Sequence, residues 1–321
     1  MKVLYIVVPC YNEEEVLPDS FAQLSGTIAA LEAAGTVKKG RILFVDDGST
    51  DSTWNLISAF AGQAPSTVCG LKISHNSGHQ HALWAGMEYA VKYADAVVTI
   101  DADMQDDVMA VVEMVDKYRN GADIVYGVRK KRETDTVFKR NTAQCYYKLM
   151  KSAGVDLVYN HADYRLMGRR VLKLLLSFPE KNIFIRGLVK SLGFKQDYVY
   201  YNRKERQAGV SKYSFLKMLN FAWDGITSFT SVPLHAIMFV GLFFILISFC
   251  ILIYCIVLFF MDHVLPGWAS LIISIWFVGG TVLVALGVIG EYVGKAYKEV
   301  KNRPGYLIEE IIDSECLPAR E

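Results

Sequence analysis

The segment TIDADMQDD (residues 99–107) follows an apolar, β-branched run with Asp101 and Asp103, two carboxylates one residue apart, and then Gln105. Leaving a strand, the two carboxylates can reach a single hard cation, with Gln105 adding a neutral oxygen. Mg²⁺ commonly takes one or two carboxylates and completes its octahedron with substrate phosphates and water. A second acidic pair, Asp46 and Asp47 in FVDDGSTD, follows another apolar run. Gly48 permits a tight turn, and Ser49 or Asp51 can cap the helix that follows. Turn and cap leave the adjacent carboxylates unexplained; ribose hydroxyls or base N–H groups would satisfy them. In PCYNEEE, Tyr11 and Glu13 have the ring and the carboxylate to sandwich and hydrogen-bond a nucleobase. A plain helix start accounts for the same stretch, with Asn12 as N-cap and the glutamates favoured by the helix dipole. His75, His79 and His81 straddle a loop and a helix start, a spacing unlike a zinc site. Asn76 and Gly78 there read as turn and cap.

The elements that must position these groups alternate. VLYIVV (3–8), RILFV, STVCGLKIS, DAVVTI and ADIVYGVR read as strands, with helical segments between them. Continuous apolar strands at this pace predict a mostly parallel sheet with helices on both faces. In such sheets ligands bind beyond the carboxyl ends of the strands, and PCYNE, DDGSTD, HNSGHQ and DADMQD all fall there. The first run is too short for a signal peptide and lacks its cleavage site. The segments flanking NHADYRLMGR read as helical, KQDYVYY as a strand, and RKKRETDTVFKRN (129–141) as a charged loop.

The net charge of +1 gives no argument for a nucleic-acid partner. Six scattered cysteines, without a CxxC pair, read as reduced thiols. Hydrophobic content reaches 52% because the last third holds two uncharged runs, Pro233 to Met261 and Pro266 to Gly290. Each exceeds the roughly 20 residues that cross a bilayer core, and the short connection predicts a transmembrane hairpin. Lys212 and Lys217 precede it, Lys295, Lys298, Lys301 and Arg303 follow it, and the connection holds only Asp262 and His263. The positive-inside rule then puts both ends in the cytoplasm. The expected organisation is a catalytic-type domain over 1–211 and an interfacial amphipathic helix over 212–231. Two membrane helices follow within 232–296 (about 233–261 and 267–291), then a cytoplasmic tail over 297–321.

Taken in order, VPCYNEEE, VDDGSTD, HNSGHQ and DADMQD resemble the glycosyltransferase family 2 enzymes of GT-A fold. ADYRLMGR (162–169), RQAGVSKYS (206–214) and the C-terminal hairpin narrow the resemblance. They look like the bacterial polyprenyl-phosphate (bactoprenol) glycosyltransferases, which are related to dolichol-phosphate mannose synthase. One departure is visible: relatives often continue with QDPP or QHPP, whereas here Gln105 and Asp106 are followed by Asp107 and Val108 in place of the prolines that shape the next turn.

The resemblance implies an inverting hexosyltransferase of the bacterial plasma membrane. It would move a hexose from a nucleotide-sugar to polyprenyl (undecaprenyl) phosphate for cell-envelope glycans; glucose from UDP-glucose leads, with galactose, N-acetylglucosamine, mannose and aminoarabinose left open. Pro9, Tyr11, Glu13, Asp46, Asp47, Asp101 and Ala102 would hold the nucleotide, and Asp101, Asp103 and Gln105 a Mg²⁺ or Mn²⁺ ion. Arg206 and Lys212 match the RxxGxSK loop that closes over phosphates. Asp163 is the family's candidate for a base or for positioning the acceptor, and positioning is favoured. Arg129, Lys131, Arg140 and Arg165 would attract the acceptor phosphate. A homo-oligomer through the hairpin, a flippase and a lipid-sugar-using transferase are the partners expected. A processive polysaccharide synthase would carry a QxxRW motif and more spans, which this chain lacks. A non-catalytic nucleotide-sugar-binding scaffold would not need every acidic motif.

Overall fold

The computed structural model describes residues 1–130, 161–181, 183–202, 227, 232–260 and 267–314. Eight strands form one sheet in the order β7-β5-β6-β4-β1-β2-β3-β8. They are β1 (Val3–Cys10), β2 (Lys39–Asp46), β3 (Val68–Ile73), β4 (Ala96–Thr99), β5 (Ile124–Arg129), β6 (His161–Gly168), β7 (Gln196–Tyr201) and β8 (Ile308–Ile312). β1 runs parallel to β2 and β4, β2 to β3, and β5 to β7, while β6 and β8 oppose their neighbours. The fold is therefore the GT-A type expected, a mostly parallel sheet with two reversed strands.

All eight residues of β1 are buried, as are seven of the eight in β2. Both faces are covered, so these strands are apolar throughout instead of alternating. Helix α1 (Leu17–Ala33) turns Leu17, Leu24, Ile28 and Leu31 inward at helical spacing. α2 (Thr53–Gln63), α3 (His79–Ala90) and α4 (Ala110–Arg119) complete the crossovers. α3 lies unusually close to the sheet at Gly86, where a Cβ would stand 2.4 Å from Val7 Cγ1.

Two outcomes differ from expectation. ADYRLMG, given no element by its sequence, is strand β6, because its Tyr164, Leu166 and Met167 are buried between β4 and β5. Helices α5 (Arg169–Leu176) and α6 (Ile185–Ser191) follow it. The stretch read as a tail returns to the sheet as β8, antiparallel to β3. Arg41 of β2 meets Asp313 there at 2.7 Å, and Tyr89 and Trp54 donate to Asp313 and Glu310.

Helices α7 (Val232–Phe260) and α8 (Trp268–Lys301) form a separate unit. Phe244 and Phe277 meet edge-on there at 5.2 Å. Among the described residues one stretch, Phe277–Lys301, is long and apolar enough to cross a membrane. Large apolar side chains such as Leu283, Val284 and Val293 stand exposed along it.

Candidate active site

The strand ends assemble the site in a row. At the end of β1, Pro9 pairs in register with Val45, and Tyr11 holds its ring 38% exposed beyond the sheet. Asn12 is not the N-cap of α1, which starts five residues later. It takes a left-handed φ of 52°, and its Oδ1 accepts the Thr50 amide at 2.9 Å. Asn12 and Glu13 in turn donate their amides to Ser49 Oγ and Thr53 Oγ1. The loops after β1 and β2 are thereby stitched together.

Asp46 ends β2, wholly buried. Its Oδ1 accepts the Ser49 amide at 3.3 Å, while its Oδ2 is buried without a partner. Burial raises its pKa, partly offset by the bonds from Ser49. A buried oxygen with nothing to accept from marks a place for a ligand's donor.

Asp47 is engaged within the fold. Its Oδ1 accepts the Ser77 amide at 2.8 Å and its Oδ2 the Gly78 amide at 2.9 Å. The carboxylate anchors the loop leading into α3. Gly48 makes this closeness possible: its φ is +65°, and a Cβ would lie 2.6 Å from the His75 carbonyl carbon.

Beyond β4, Asp101 keeps 37% of its side chain exposed. Burial raises its pKa, opposed by His79 and reinforced by Asp106, Asp163 and Asp103. Ala102 is buried, its carbonyl accepting Ser20 Oγ at 2.5 Å. Asp103 Oδ1 accepts the Gln105 amide at 3.2 Å around Met104, whose φ of 47° makes the turn tight. Gln105 itself is buried. Among the described residues, no three His, Cys, Asp or Glu side chains converge on a ready-made metal cage. Two partly exposed carboxylates nevertheless suit a hard cation that takes its other oxygens from substrate and water.

The register of β6 brings in the next group. Thr99 pairs with Arg165, so two residues further out Asp163 comes opposite Asp101. His79, opening α3, bridges them, its Nε2 3.7 Å from Asp101 Oδ1 and 3.5 Å from Asp163 Oδ2. Asp163 is 6% exposed and carries two arginines. Arg165 Nη2 bonds its Oδ1, and Arg186 donates Nε to Oδ1 at 3.1 Å and Nη2 to Oδ2 at 2.9 Å. Burial pushes the Asp163 carboxyl up, but Arg186, His79 and Arg165 hold it well below the usual range. An acid so held is a poor proton acceptor near neutral pH.

Two cations expected to await a phosphate are already engaged. Arg165 is 1% exposed, enclosed by the sheet and paired with Asp163. Arg129 makes a two-point pair with Asp106, which also accepts Tyr201 Oη at 2.7 Å. Lys131, Arg132, Arg140, Arg206, Lys212 and most of the interfacial segment 212–231 lie outside the described residues. Arg186 and Gln80 escaped the sequence reading. The signal for Arg186 was a lone charge in the apolar run IFIRGLV.

Carboxylates ranged along the carboxyl ends of adjacent parallel strands define an α/β enzyme that binds its substrate beyond the sheet. The model of "Glycosyl transferase family 2" matches residues 5–176, and the chain belongs to that family. It is a glycosyltransferase. It is 48% identical to the "Uncharacterized glycosyltransferase YkoT" of Bacillus subtilis (strain 168), over 96% of this chain and 91% of the relative. It is 38% identical to the "Bactoprenol glucosyl transferase" of Shigella phage SfII, over 95% of this chain and 96% of the relative. Among solved structures, glucosyl-3-phosphoglycerate synthase from Mycobacterium tuberculosis aligns over 71% of this chain and 78% of that one. The TM-score is 0.44 at 18% identity.

Proposed function

We propose that this enzyme transfers glucose from UDP-glucose to polyprenyl phosphate at the cytoplasmic face of a bacterial plasma membrane. One observation carries the reading. A chain with carboxylates at its strand ends also holds the apolar stretch Phe277–Lys301, and it matches a bactoprenol glucosyl transferase over nearly its full length. A polyprenyl chain leaves the bilayer only at about 0.8 kcal/mol per exposed CH₂, so the enzyme must be held at the membrane. In this reading α7 and α8 cross as a hairpin, 212–231 lies in the interface, and 1–211 works in the cytoplasm. The product would pass to a flippase and then to a transferase that uses the lipid-linked sugar. The hairpin is also the surface for a homo-oligomer.

The nucleoside would lie against Tyr11 and Glu13, with a ribose or base donor meeting the unpartnered Oδ2 of Asp46. Asp101 and Asp103, with Gln105 behind them, would hold a Mg²⁺ or Mn²⁺ ion, which supplies positive charge to the departing nucleoside diphosphate. Arg206 and Lys212 would cover the same phosphates. The acceptor phosphate, with a second pKa near 6, is already largely ionised at neutral pH. No side chain has to remove a proton, in keeping with the arginine-clamped state of Asp163. Direct attack opposite the leaving group inverts the anomeric carbon and gives a β-linked lipid phosphate sugar from an α-linked donor.

The test is transfer of radiolabelled glucose from UDP-glucose to undecaprenyl phosphate by the purified full chain in detergent, with and without EDTA. Transfer should stop with EDTA, return with Mn²⁺ or Mg²⁺, and be lost in Asp103→Ala. Undiminished transfer in EDTA, or an Asp103→Ala variant equal to wild type, would refute the assignment.

A further inference from the structure

We propose that Asp106 is a positioning residue: it ties the turn that carries Asp101 and Asp103 to the ends of β5 and β7, and so fixes the two carboxylates for a divalent ion. The inference rests on the metal reading argued above and adds the residue that keeps the turn in place.

Asp106 lies three residues beyond Asp103, yet its side chain is 2% exposed. Its Oδ1 accepts Arg129 Nε at 3.1 Å, Arg129 Nη2 at 3.0 Å and Tyr201 Oη at 2.7 Å. Its Oδ2 accepts Arg129 Nη2 at 3.3 Å. Arg129 is the last residue of β5 and Tyr201 the last of β7, and the two stand in register. In the sheet β6 separates both strands from β4. One buried carboxylate therefore carries the connection across the gap.

The turn is tied on either side as well. The Ala102 carbonyl accepts Ser20 Oγ of α1, and the Asp107 carbonyl accepts Tyr164 Oη at 2.9 Å. The rings of Tyr164 and Tyr201 meet edge-on at 5.4 Å. Gly127 makes room for them, since a Cβ there would stand 2.7 Å from Tyr164 Cδ1 and 3.0 Å from Tyr201 Cε1. Between these ties Met104 holds a left-handed φ of 47°, a conformation that persists for such a residue only when its surroundings enforce it. Two carboxylates that must meet one hard cation gain from that enforcement. Groups that hold metal-ligating side chains in place typically account for about 10–100-fold in metal affinity.

The experiment measures the Kd for Mn²⁺ beside saturating UDP, by calorimetry on the purified full chain in detergent. Tyr201→Phe removes one hydrogen bond and no charge, and should weaken Mn²⁺ binding by about threefold or more. Arg129→Met decides by its sign. It removes a positive charge next to Asp106, which itself acts on Asp101, so electrostatics alone would tighten Mn²⁺ binding. A loosened turn weakens it instead, by about tenfold or more. The Kd for UDP in EDTA should stay within about twofold in both variants, a split that general damage to the fold would not produce. Should Arg129→Met not fold, Tyr201→Phe decides through the same two measurements. Mn²⁺ binding unchanged in either variant, or tightened in Arg129→Met, overturns the inference while leaving the proposed reaction intact. So does UDP binding in EDTA that weakens in step with Mn²⁺. A wild-type chain that binds no Mn²⁺ beside UDP removes the metal reading and the inference together.

Discussion

Arg41 of β2 and Asp313, the residue directly after β8, form a two-point ion pair. Nη2 lies 2.7 Å from Oδ1 and Nη1 3.1 Å from Oδ2. Both side chains are almost fully enclosed, and Tyr89 adds a third bond to the same carboxylate. The pair ties the chain after α8 to the strand that ends in Asp46. Breaking a buried pair from one side strands the remaining charge, at a cost of about 3–5 kcal/mol. Asp313→Ala should therefore lower the thermal midpoint strongly, as read by differential scanning fluorimetry in detergent. A midpoint equal to wild type would show that β8 is not held in this way.

Asp163 makes stability depend on pH in a definite direction. Burial raises its carboxyl pKa, but Arg186, His79 and Arg165 outweigh burial and place it well below the unfolded value of about 3.9. The unfolded chain then takes up protons first as the solution becomes acidic. The stabilisation is whole above about pH 4 and is lost as pH falls through the depressed folded value. The stability gap between wild type and Asp163→Asn should widen as pH falls from about 8 to about 5, because Asp163 favours the charged form of His79, and narrow below about pH 4. Denaturation midpoints across that range check it; a gap that narrows near neutral pH would mean that the carboxyl is not held low.

Gly48→Ala tests the turn between the aspartates at the end of β2 and the loop before α3. An alanine must adopt φ +65° and place its Cβ 2.6 Å from the His75 backbone. The left-handed conformation alone costs roughly 1–2 kcal/mol, and the clash adds to it. Lower stability and weaker UDP binding together are expected, because Asp46 and the loop shift as one. Wild-type affinity in this variant would detach the turn from the site.

Asp47→Ala separates loop anchoring from ligand contact. The substitution removes two charge-assisted hydrogen bonds, at about 1.5–3 kcal/mol each. Amide exchange at Ser77 and Gly78 should accelerate, and the melting point should fall. Unchanged exchange at these amides would return Asp47 to the nucleotide.

Much of the site was legible because its residues are bound to local structure. Apolar β-branched runs ending in DDGSTD and DADMQD announce strand ends, and strand ends of a parallel sheet are where ligands bind. Asp46 ends β2, and Asp101 and Asp103 follow β4. Asp47 and Asn12 show the limit of the method. Each has the residue type for a functional or capping role, yet each is consumed by an amide from a loop some thirty or more positions away.

The sequence by itself determined the alternation of strands and helices, the acidic strand ends and the apolar C-terminal stretches, because each depends on neighbours within a few residues. Tertiary structure alone decided which charges stay available. The register of β6 against β4 sets Asp163 opposite Asp101, the packing of α6 brings Arg186 onto Asp163, and enclosure by the sheet removes Arg165 from solvent. The physical reason is that an ion pair forms according to distance and burial, and neither is a property of adjacent residues. Asp163 with Arg186, and Arg41 with Asp313, meet only once the sheet has closed.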